Sequence, residues 1–237
     1  EVADYMQPRK ADVTKSRSKG DKRTELIFDS SPLQSVELLS ASLHGMLTNP
    51  STPWFSLKFK NEGMEGEDEA KAWLESATEV MYSAFNQSNF QQEIFELYHD
   101  LITFGTAAMF IEDDEEDVLK FSTRHINEIY ISENDKGRID TIFRKFRLTT
   151  RAAIQKFGEN VSESIVTKHR KDPYEEVEIL HAVYPRADFD PKKQDKSNMP
   201  FESVYLEAGT GDELSISGFR EFPFVVPRYL KASHEIY

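Results

Sequence analysis

The run Glu112-Asp113-Asp114-Glu115-Glu116-Asp117 is the first feature that could do chemistry. Clustered carboxylates suit a hard divalent cation, and such an ion could serve a phosphodiesterase or nuclease. The run lacks the glycine and alternating spacing of an EF-hand loop, and it also reads as a solvated hairpin tip. Six histidines are present, His44, His99, His125, His169, His181 and His234. None shares the HExxH spacing of a helical zinc site. No Gly-x-Ser-x-Gly elbow exists. Gly209-Thr210-Gly211 lacks the Lys-Ser/Thr and the following helix of a phosphate loop, so it reads as a turn. Arg144, Lys145 and Arg147 interleave with Phe143 and Phe146 as a basic–aromatic strip. A strand with one buried face gives the same pattern, and that reading is preferred. No catalytic, cofactor-binding or metal-ligating residue is assigned from these patterns.

Several helices and strands must position these groups. Phe28 to Phe59 organises the rest. Ser31 is expected to cap a helix, with Pro32 at its first position and Gln34 completing a capping box. Leu33, Val36, Leu39, Leu43 and Met46/Leu47 would form its apolar face, and Asn49-Pro50 would end it. Ser40, Ala41, Ser42 and Gly45 are small enough to admit a close neighbour. Trp54 to Phe59 alternates like a strand. After the acidic link Asn61 to Glu69, a helix is predicted over 68–87, with Ala70, Trp73, Ala77, Val80, Met81, Ala84 and Phe85 on its buried face. On that reading Trp73→Ala should cost roughly 3–5 kcal/mol. A third helix follows, capped by Asn89, striped by Phe90, Ile94, Leu97, Leu101 and Phe104, and closed by Gly105.

The pattern then changes to strands. Segments 106–111, 118–124, 128–132 and 139–148 read as an antiparallel meander, with Asn134-Asp135-Lys136-Gly137 as a turn. Thr149 or Thr150 should cap a short helix, Arg151 to Phe157, stopped by Gly158. Residues 159–173 are weakly helical. Further β segments are expected at 177–186, 201–207 and 214–219. Phe222 to Tyr229 should be an edge strand, since its prolines cannot donate to a ladder. The fold class is therefore α+β: an N-terminal helical layer followed by an antiparallel β-rich portion. The expected division is a basic N-terminal segment at 1–24, then an α+β region at 25–237, mainly helical over 25–105 and mainly β over 106–237.

The 237 residues carry a net charge of −13 and no cysteine. Disulfides and thiolate metal sites are thereby excluded. No apolar run approaches the ~20 residues needed to span a bilayer, so no membrane partner is expected. Residues 8–23 hold seven Lys/Arg and two Asp, a local +5, which leaves −18 on the remainder. That segment could contact phosphate, but it reads more simply as a solvated, mobile terminus. An acidic body argues against a sequence-reading DNA binder, because it has few cations with which to release counterions.

The ordered motifs carry a resemblance. Phe28-Asp29-Ser30-Ser31-Pro32-Leu33-Gln34-Ser35-Val36-Glu37-Leu38-Leu39, Leu43-His44-Gly45-Met46-Leu47-Thr48-Asn49-Pro50 and Pro53-Trp54-Phe55 are similar to the head-to-tail connector (portal) proteins of short-tailed bacteriophages. Asn89-Phe90, then Asp100 to Ala107, Gly137 to Arg144, and Phe222 to Arg228 continue the likeness in order, over almost the whole chain. The resemblance implies a non-enzymatic subunit of a homo-oligomeric ring, typically a dodecamer, at one vertex of the virion capsid. Assembly in the host cytoplasm is implied as well. Double-stranded DNA would pass through without sequence-specific binding during packaging and ejection. Implied partners are the terminase, capsid and scaffold proteins, and tail adaptors; no cofactor is implied. The likeness is to the wing region, with the stem, clip and crown lying outside residues 1–237. The alternative, from the residues alone, is a metal-dependent phosphodiesterase or nuclease using 112–117.

Overall fold

The computed structural model describes residues 2–13, 18, 20–60, 68–114, 116–193, 195 and 198–231. In chain order the helices are α1 (Val2–Met6), α2 (Ser31–Leu47), α3 (Asp68–Gln87), α4 (Phe90–Phe104), α5 (Thr150–Phe157) and α6 (Glu163–Lys171). The strands are β1 (Ala108–Asp114), β2 (Val118–Arg124), β3 (Ile129–Glu133), β4 (Ile139–Thr149), β5 (Glu176–Pro185), β6 (Phe201–Glu207), β7 (Glu213–Phe219) and β8 (Phe224–Val225). The fold is α+β, with helices leading and antiparallel sheets following. The chain forms two compact units: residues 1–127 with 224–232, and residues 128–223 with 233–237.

In the first unit, α2 and α3 each pack on α4, and α4 lies against the sheet β2-β1-β8. Phe90, Ile94, Leu97, Tyr98, Ala107, Met109 and Phe121 form its core. Each such large side chain contributes roughly 1.5–3 kcal/mol on full burial. Trp54 stacks on Phe90 at 5.8 Å. Gly105 takes φ +74°, the left-handed value that ends a helix, and its N–H bonds to the Leu101 carbonyl. The proline-bounded β8 is an edge strand, as its prolines require.

Several local expectations change here. The first long helix begins one residue early, so Ser30 occupies the cap position and its side chain makes no cap bond. Asp29 accepts from the Ser31 N–H at 3.1 Å instead. Asn89 does sit at the cap of α4, but its amide pairs with the Phe121 backbone, as acceptor at 2.9 Å and donor at 2.8 Å. Trp54 to Phe59 belongs to no helix or sheet. Its main-chain groups bond to side chains of α3: the Tyr82 hydroxyl takes the N–H groups of Trp54 and Phe55, and Thr78 takes that of Leu57. The 61–67 part of the acidic link lies outside the described residues.

The largest correction concerns α3. Its bounds are those expected, yet Trp73, Val80 and Met81 are exposed, Trp73 at 62%. The face turned to the protein is Leu74, Thr78, Tyr82 and Phe85, which meets the 53–59 segment and α4. Trp73 is therefore not core, and its substitution cannot cost the 3–5 kcal/mol of a core tryptophan. In α2, Val36 and Ser40 are buried and Leu33 and Leu43 half-buried, whereas Leu39, Met46 and Leu47 stand in the open.

The second unit is a five-stranded antiparallel sheet in the order β3-β4-β5-β6-β7. The first four strands of the expected meander thus divide, β1 and β2 to one sheet, β3 and β4 to another. Phe146, Val177, Ile179, Tyr205 and Leu214 point from one sheet face into a core shared with Ala153 and Phe157 of α5 and Ile165 of α6. Thr149 caps α5 by accepting from the Ala152 N–H, and Gly158 with φ +59° ends it. Ser162 caps α6 in the same way, accepting from Ile165.

Candidate functional site

The acidic run is a hairpin tip. β1 and β2 pair up to Asp114 and Val118. Asp114 accepts from the Asp117 N–H at 3.0 Å, and Glu112 reaches Lys120 at 3.9 Å. Glu115 lies outside the described residues. Among the described residues no three His, Asp or Glu side chains gather where they could hold a metal ion, so the geometry gives the phosphodiesterase alternative no support.

The basic–aromatic strip separates by face. On β4, Ile142, Arg144 and Phe146 point inward and are buried, while Phe143, Lys145 and Arg147 point outward and are exposed. Arg144 donates to Glu128 at 2.9 Å and lies over the Phe146 ring at 3.7 Å. That is a packed cation–π contact inside the unit rather than a nucleic-acid surface. Lys145 pairs with Glu178 at 3.0 Å.

Part of the basic N-terminal segment is anchored. Lys10 donates to both Asp100 oxygens at 2.8 Å and to Glu96 at 2.6 Å. Burial alone would lower the Lys10 pKa. The hydrogen bonds and charges of Asp100 and Glu96 outweigh that and hold it above the ordinary lysine value. His125 bonds to the Lys10 carbonyl at 2.8 Å, and Arg23 pairs with Asp12 at 3.0 Å. Lys10 is thus committed to carboxylates within the chain, and residues 8–10 form a docked turn. Lys15, Arg17 and Lys19 lie outside the described residues.

Every described histidine has a structural partner. His44 bonds to Gln91, His99 to Gln7 and Glu37, and His169 to Thr150. His181 bonds to Ser203 at 2.9 Å and stacks on Tyr205 at 3.8 Å. This Ser–His pair has the chemistry of a nucleophile and base, but both residues are buried and a substrate could not reach them. Gly209 to Gly211 is the β6–β7 turn, with Gly211 at φ +78°. Its neighbour Glu207 is a buried carboxylate bonded by Ser162, Ser164 and Thr210, with Lys168 at 3.7 Å. Sequence reasoning found neither this cluster nor the Lys10–Asp100 pair. Their members lie far apart in sequence and form no motif.

What the chain leaves open is apolar. Leu38, Leu39 and Met46 on α2 and Val80 on α3 are exposed, and Trp73, 62% exposed, stacks on Phe59 at 6.1 Å. No described helix is long and apolar enough to cross a membrane.

The sequence matches the family described as bacteriophage head to tail connecting protein over residues 1–237, and the chain belongs to that family. It is 33% identical over 242 aligned residues to the portal protein of Salmonella phage epsilon15. It is 31% identical, also over 242, to the probable portal protein of Bordetella phage BPP-1. In both cases all of this chain aligns, and it covers 44% of the relative. The chain thus spans less than half the length of the curated relatives it matches.

Proposed function

We propose that this chain serves as a structural subunit of the portal ring of a bacteriophage, through which double-stranded DNA enters the capsid and later leaves it. The observation that carries this reading is the family match along all 237 residues. The acidic balance supports it. A conduit must not grip its cargo, and a body of like charge to DNA lacks the phosphate contacts that create salt-dependent affinity. The protein acts without catalysis or cofactor, as part of the virion at the portal vertex. Terminase, capsid and scaffold proteins, and tail adaptors would be its partners in turn, assembled in the host cytoplasm. Residues 1–24 are the basic N-terminal segment of this subunit and 25–237 its wing.

Inactivating the gene in the phage and imaging the particles tests the role in DNA passage. Heads without DNA are expected. Heads that fill with DNA normally would contradict the proposal.

A further inference from the structure

We draw no further inference here: the strongest candidate, the apolar surface patch that Tyr130, Phe143, Ala182, Val204 and Ile216 form in register across one face of the five-stranded sheet, carries none because nothing in the structure shows what covers it.

Discussion

Lys10 and Asp100 are ninety residues apart in sequence and form the clearest polar anchor in the first unit. Asp100 is 2% exposed and pairs with Lys10 at 2.8 Å. Lys10→Met strands that carboxylate and should cost about 3–5 kcal/mol, read by urea denaturation. A loss below about 1 kcal/mol would show that the N-terminal turn is not docked. The sign with pH follows from the raised Lys10 pKa. The stabilisation is fully present below the ordinary lysine value and is lost as pH rises through the higher folded one. Wild-type protein should therefore lose stability at strongly alkaline pH in excess of Lys10→Met. A different kind of stress sits at Val118. It has φ +68°, a conformation that costs an L-residue roughly 1–2 kcal/mol, at the exposed tip of the β1–β2 hairpin. Glycine removes that strain but adds back about 0.5–1 kcal/mol of backbone entropy. Val118→Gly should thus be neutral or stabilising by up to about 1 kcal/mol in the same assay, and a clear destabilisation would contradict the strain.

At the scale of elements, local signals were legible where local physics decides them. Thr149 and Gly158 bracket α5, Gly105 stops α4, and the bounds of α3 and β6 are those read from pattern and turn chemistry. What periodicity could not disclose is which part of an apolar arc the chain itself covers. On α3 the arc runs from Trp73 round to Phe85; the Leu74–Tyr82–Phe85 part packs into the unit, while Trp73 stacks on Phe59 at the margin and stays 62% exposed. Trp73→Ala should accordingly cost less than about 1 kcal/mol of subunit stability, the scale of a surface change. A loss of 3 kcal/mol would mean that the tryptophan is core after all. The 54–59 segment misled for a related reason. Its alternation is that of a strand, but its partner is a hydroxyl on a helix. Tyr82→Phe removes the acceptor for the Trp54 and Phe55 N–H groups and the donor to the Phe55 carbonyl. It should cost about 1–3 kcal/mol by the same measurement. An unchanged midpoint would show that those groups find water instead. The candidate site was legible mainly by exclusion. The acidic run and the glycine turn are hairpin ends, as their composition suggested. The buried Glu207 and Lys10 clusters are assembled from segments that only the fold brings together.

For the whole molecule, the central claim is that this chain builds a ring and does so as structure, not as an enzyme. Family membership over the full 237 residues and an acidic body support that claim. The most direct test is the native particle mass of the complete gene product, together with a negative-stain image of the same sample. The account predicts a closed ring of about a dozen copies with a central hole, built by a head-to-tail contact whose rotation closes. A monomer or a two-fold dimer under all assembly conditions would contradict it.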